Sequence, residues 1–134
     1  MIEASCHCGG VRYTVDAAPT TALDCNCSHC RLYGSLWAYY PQRDVKFTAT
    51  PDTFVYQWGD RMLDMHHCRT CGCFSHFTIT GEDDAEKIGL NIRLMRGLTP
   101  ETVSVVQKNN GNDHVFWTKS DRPVLPGHDQ PAQS

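Results

Sequence analysis

Over most of the chain, apolar and polar residues alternate in short runs and do not recur at every third or fourth position. Segments 2–7, 11–15, 22–24, 36–40, 45–47, 53–58, 62–68, 74–80, 88–94 and 102–106 each carry this two-residue period or a compact apolar run, with Gly, Pro or Asp between them. A period of two places successive side chains on opposite faces of a pleated strand. Many such strands broken by turn residues predict a mostly β protein of coiled sheets or a sandwich, with no βαβ units. Gly9 and Gly10 join the first two strands as a hairpin. A single helical turn is expected over residues 28–33, with Ser28 as its cap and Gly34 as its stop, and residues 99–101 open a second brief turn. From Arg122 onward, Pro123, Pro126, Gly127 and Pro131 leave too little apolar content to fold. The expected organisation is one domain over residues 1–121 followed by a flexible tail, 122–134.

Composition narrows the class. The chain has 134 residues, 40% of them hydrophobic, and a domain of that size buries only about two thirds of its extended-chain surface. Something beyond packing is expected to support so thin a core. Twelve basic residues face fifteen acidic ones, and no run of five Lys or Arg occurs, so a phosphate backbone is an unfavourable partner. The longest apolar run, 36–40, is far short of the roughly 18 residues that cross a bilayer, which argues against a membrane partner. The first residues hold no basic stretch leading into an apolar segment, so a cytoplasmic location is expected.

Eight cysteines carry the chemistry. They form three groups: Cys6 and Cys8 before two glycines; Cys25, Cys27 and Cys30; and Cys68 and Cys71 before Gly72, with Cys73 next. Cysteines one residue apart close a disulfide only with strain, whereas two thiolates on a tight turn readily share a tetrahedral zinc ion. Cys6, Cys8, Cys68 and Cys71 make a complete four-sulfur set, the pattern of a structural site. Metal binding there would contribute on the order of 10 kcal/mol to folding. Cys25, Cys27 and Cys30 supply three ligands, and three ligands with an open position is the catalytic pattern. His29, His66, His67 or Cys73 could instead complete that second site and close it.

The motifs Cys6-His-Cys-Gly-Gly, Cys25-Asn-Cys-Ser-His-Cys and Cys68-Arg-Thr-Cys-Gly, with Gly89-Leu-Asn-Ile-Arg-Leu downstream, resemble the family of glutathione-dependent formaldehyde-activating enzymes and centromere protein V. The resemblance covers roughly residues 2–108. It implies a β-tent, or Mss4-like, fold of several small coiled antiparallel sheets organised around two Zn2+ ions, one structural and one reactive. It further implies a carbon–sulfur lyase acting on a thiol adduct, as in the synthesis of S-hydroxymethylglutathione from glutathione and formaldehyde. The expected catalytic set is Cys25, Cys27, Cys30 and Arg93. Arg31 and Arg93 are candidates to balance thiolate charge, His29 or His66 to relay protons, and Trp37 or Tyr39 to line a pocket. Expected partners are a small thiol such as glutathione and a small aldehyde, with a homodimer among the expected states. The competing reading is a non-catalytic zinc module or a zinc and thiol carrier.

Overall fold

The structure, a computed structural model, describes residues 1–25, 27, 29–59, 61–80, 86–99 and 101–108. Strands dominate it in the predicted order: β1 (Ile2–Ser5), β2 (Arg12–Val15), β3 (Thr21–Cys25), β4 (Trp37–Pro41), β5 (Val45–Phe47), β6 (Thr53–Tyr56), β7 (Leu63–Cys68), β8 (Phe74–Ile79), β9 (Lys87–Asn91) and β10 (Ser104–Lys108). A single α-helical turn, α1 (Cys30–Tyr33), stands between β3 and β4. Ser28, the expected cap, lies outside the described residues, as does the segment 122–134. Gly34 ends the turn as expected, at φ 62°, with its N–H donating to the Cys30 carbonyl.

Two sheets form. The smaller runs β1-β2-β5 and is antiparallel throughout. The larger has seven strands in the order β10-β3-β4-β9-β8-β7-β6. Every pairing in it is antiparallel except β10 with β3, which runs parallel from Ser104↔Thr21 to Lys108↔Cys25. The expected mostly β fold of antiparallel sheets is borne out, with β10 beside β3 as the one parallel pairing among the described residues. The chain returns along β3 long after leaving it, a pairing that local pattern does not encode.

Two strand boundaries fall short of the sequence pattern for identifiable reasons. β1 stops at Ser5 because Cys6 turns into a loop, its N–H on the Val11 carbonyl and its own carbonyl accepting from Gly9. β9 stops at Asn91 because Ile92–Leu94 tighten into a 3-10 turn, capped by the Asn91 side chain, which accepts the N–H of Arg93.

Alternation along the large sheet separates two cores. On one face, Ala22, Ala38, Ile88 and Leu90 join Ala4, Tyr13 and Val15 of the small sheet and Leu36, Ile92, Met95 and Val103. On the other face, Leu23, Trp37, Met65, Phe74 and Phe77 gather around Cys25, Cys27 and Cys30. The same two-residue period that makes the strands thus delivers a second apolar cluster to the central cysteines.

Candidate metal centres and the cavity beside them

Cys6 and Cys8 sit on the loop between β1 and β2, Cys68 ends β7, and Cys71 lies on the turn into β8. Their four sulfurs lie within 4.8 Å of one another, with Cys6 and Cys8 3.7 Å apart and Cys8 and Cys68 3.6 Å apart. A disulfide requires about 2.05 Å, whereas sulfurs about 2.3 Å from a tetrahedral ion stand roughly 3.8 Å from each other. The spacing fits a shared zinc ion. Backbone amides support the charge: Val11 N–H donates to Cys6 Sγ at 3.2 Å and Gly10 N–H to Cys8 Sγ at 3.3 Å. Gly9 at φ 83° and Gly72 at φ 80° allow the two turns their left-handed step. Burial opposes ionisation of Cys71, yet the N–H groups of Cys73 and Cys8 and the neighbouring thiols pull it down to about 5.

The second cluster is local. Cys25 ends β3, Cys27 follows on the loop, and Cys30 opens α1; their sulfurs also lie within 4.8 Å of one another. Cys30 N–H donates to Cys27 Sγ at 3.3 Å. Hydrogen bonds from the Cys25 and Cys30 thiols, and then from the amides of Cys30 and His29, outweigh burial and push the Cys27 thiol down to about 2. Sharing with Cys27 raises Cys25, and sharing with both neighbours raises Cys30. One thiolate collecting every nearby donor is a trio suited to a cation.

The four candidates to close this trio lie elsewhere. His29 packs its ring against Phe74 at 4.9 Å and stacks on Tyr56 at 5.4 Å. His67 is sandwiched between Phe74 at 4.6 Å and Phe54 at 4.9 Å, its Nδ1 hydrogen-bonded to the Met65 carbonyl at 3.2 Å. His66 is on the opposite face of β7 from Met65, bonded to Thr53 Oγ1 at 2.8 Å and stacked on His76 at 4.3 Å. That position removes it from any proton relay at the trio. Cys73 is half-buried beside Cys71 in the first cluster. Among the described residues no further His, Cys, Asp or Glu joins Cys25, Cys27 and Cys30.

What does face the trio is a cavity of about 150 Å³. Four strands contribute to its wall: Leu23 from β3, Trp37 and Tyr39 from β4, Leu63 and Met65 from β7, and Phe74 and Phe77 from β8, on either side of the β7–β8 register shift, with Trp58 beyond β6. Both aromatic candidates from the sequence, Trp37 and Tyr39, line it. Burial, then the charges of Cys25 and Cys30, raise the Tyr39 phenol and hold it protonated. Phe77 fits only because residue 89 is glycine: a Cβ there would overlap the Phe77 ring at Cε2 and Cζ.

The arginines are differently placed. Arg31 is buried within α1. Arg93 donates from Nε to the Gly34 carbonyl, just past α1. It lines a separate cleft of about 470 Å³ with His7, Tyr33, Cys73 and Asn91, on the side of the first cluster. Asn91 emerges as the residue that pattern reading undervalued. Its Oδ1 accepts the N–H groups of Leu36 at 3.3 Å and Arg93 at 3.2 Å, and its Nδ2 donates to the Phe74 carbonyl at 2.9 Å. The sequence singles it out only as a member of the Gly89-Leu-Asn-Ile-Arg-Leu motif.

Two β-sheets bring seven cysteines into two clusters, each of which could hold a metal ion. The sequence profile of the glutathione-dependent formaldehyde-activating enzymes matches residues 1–119, and the chain belongs to that family. A crystal structure of a Rhodobacter sphaeroides protein from a structural-genomics programme is similar in fold, with a TM-score of 0.63 and 27% sequence identity over 78% of this chain and 99% of that one. Among curated proteins, no sequence matches this chain. Membership points to a glutathione-related, formaldehyde-activating function. No helix among the described residues is long and apolar enough to cross a membrane.

Proposed function

We propose that this chain is a zinc-dependent enzyme of the carbon–sulfur lyase type, which joins a thiol to formaldehyde or a related small aldehyde and reverses the same reaction. The observation that carries the reading is the cavity against Cys25, Cys27 and Cys30, a three-sulfur set with no fourth ligand among the described residues. One Zn2+ held by these three sulfurs would keep an incoming thiol ionised at neutral pH, while a second, held by Cys6, Cys8, Cys68 and Cys71, would be structural. The cavity walls then position the two reactants and exclude water. As the sulfur–carbon bond forms, the carbonyl electron pair moves to oxygen, which takes a proton; nothing is oxidised or reduced. Tyr39 is the hydroxyl-bearing residue of the wall and can supply that proton and recover one from solvent, since it is half-exposed. Arg93 acts at a distance in this reading, fixing the end of α1 through Gly34 and so the position of Cys30.

The test is the rate at which the protein accelerates exchange between a free thiol with formaldehyde and their hydroxymethyl adduct, read by NMR above the uncatalysed background. Cys27→Ser should abolish the acceleration with the far-UV spectrum intact, whereas Cys71→Ser should lose the fold. Tyr39→Phe should slow exchange without abolishing it. Acceleration by Cys27→Ser equal to wild type would refute the assignment and leave a metal-stapled binding module.

A further inference from the structure

Glutathione is the thiol in the family's name, yet the cavity at the trio has few of the features that would hold a tripeptide. Its volume, about 150 Å³, is that of an apolar cavity that takes up benzene. Its wall presents Leu, Met, Phe and Trp side chains, and no Asp, Glu, Lys, Arg or His lines it among the described residues. Glutathione brings two carboxylates and an ammonium group, each costing several kcal/mol to desolvate without a partner. The cations considered at the sequence level are not in that wall: Arg31 is buried in α1 and Arg93 borders the other cleft. Beyond the three cysteines, the polar groups of the wall are few and neutral. They are the Tyr39 hydroxyl and the indole N–H groups of Trp37 and Trp58, both buried without a hydrogen-bond partner among the described residues.

On the footing of the thiol–aldehyde reading above, we propose that the thiol admitted here is small, neutral and apolar, with a body no larger than a benzene ring, and that Leu23, Trp37, Leu63, Met65 and Phe77 select it over charged peptide thiols. The product is then a neutral S-hydroxymethyl thioether. The sulfur–carbon bond replaces the carbonyl π bond, and the thiol proton ends on oxygen. Neither partner carries a charge into the cavity.

Phenylmethanethiol and glutathione serve as probes. In cobalt-substituted protein, phenylmethanethiol should shift the sulfur-to-metal bands at a concentration at least tenfold below that of glutathione. Leu63 is half-buried, so Leu63→Lys places a charge in the wall at a position that already meets solvent. It should erase the preference, weakening phenylmethanethiol at least tenfold while leaving glutathione unchanged or tighter. A second readout is independent of metal ligation: the Met65 methyl resonance of zinc-loaded protein, titrated with phenylmethanethiol and with benzyl alcohol, which has the same ring and no sulfur. Both should move it.

Glutathione binding as tightly as phenylmethanethiol in the wild type would overturn the inference. Cobalt bands that answer both thiols alike, with Leu63→Lys without effect, would also overturn it and leave the thiol–aldehyde reading standing. Movement of the Met65 methyl by both ring compounds, with cobalt bands unmoved by either thiol, would support the apolar cavity and refute thiol ligation.

Discussion

Asn91 shows how one buried side chain can hold a site that it does not line. Its three hydrogen bonds reach the residue before β4, the first residue of β8 and the 3-10 turn bearing Arg93. Two of those elements carry the Trp37 and Phe74 walls of the cavity. Asn91→Ala leaves two backbone N–H groups and a carbonyl without partners at a position only 5% exposed, so a loss of about 3 kcal/mol is expected. Urea unfolding measures it, and a change below about 1 kcal/mol would show that water replaces the amide. His76 gives a second single-residue prediction, in pH. Burial first, then the nearby His66, lowers its pKa from the ordinary 6.5 to about 3. Between those values the unfolded chain binds a proton that the folded chain refuses, so stability is full above pH 6.5 and falls as pH drops toward 3. From pH 7 to pH 5 the cost is about 2 kcal/mol. His76→Gln keeps a hydrogen-bonding group for Ser75 Oγ, now 2.8 Å from His76 Nδ1, but does not titrate. Its stability should fall about 2 kcal/mol less over the same interval, and an equal fall would place the titration elsewhere.

At the scale of elements, β9 and β8 are matched through an absence. Gly89 pairs with Phe77 across the two strands, and the space a Cβ would fill is taken by the Phe77 ring. Gly89→Ala should push that ring into the 150 Å³ cavity and destabilise the protein by about 1–3 kcal/mol. Its signature is a loss of small-ligand binding larger than the loss of stability accounts for; unchanged binding with lowered stability would mean that the strands separate instead. The same pair marks what the sequence discloses. Period-two runs located every described strand, because burial on one face writes itself into local order. The cysteine spacings located both clusters, because tight turns are local too. Neither the parallel return of β10 beside β3 nor the seat of Phe77 on Gly89 has a local signature, since each is set by which strand becomes a neighbour. The place of Arg93 has no local signature either: it follows β9, a neighbour of β4, and lines the other cleft. His66 and His67 likewise took opposite faces of β7, with a register shift between them.

For the whole molecule, the two cysteine clusters differ in what they close. The sulfurs of Cys8 and Cys68 meet across 60 residues of chain, tying the β1-β2-β5 sheet to the β7-β8 hairpin of the large sheet. Cys25, Cys27 and Cys30 close only a loop between one strand and one helical turn. A cross-link over a long loop removes more freedom from the unfolded chain than one over a short loop. Zinc binding at a four-sulfur site contributes on the order of 10 kcal/mol to folding, comparable to the whole stability of a small domain. Metal removal should therefore proceed in two stages. A chromophoric chelator should first take one equivalent of zinc, from the three-sulfur site that offers fewer ligands, with little change in far-UV signal or thermal midpoint. The second equivalent should leave only as the β signal collapses, and restoring zinc should recover both. Cys27→Ser should release its second equivalent together with unfolding, as wild type does, and lack the first stage. Release of both ions in one step coincident with unfolding would mean that the trio stabilises the fold as strongly as the four-sulfur cluster, and the division into a structural and a reactive centre would fail.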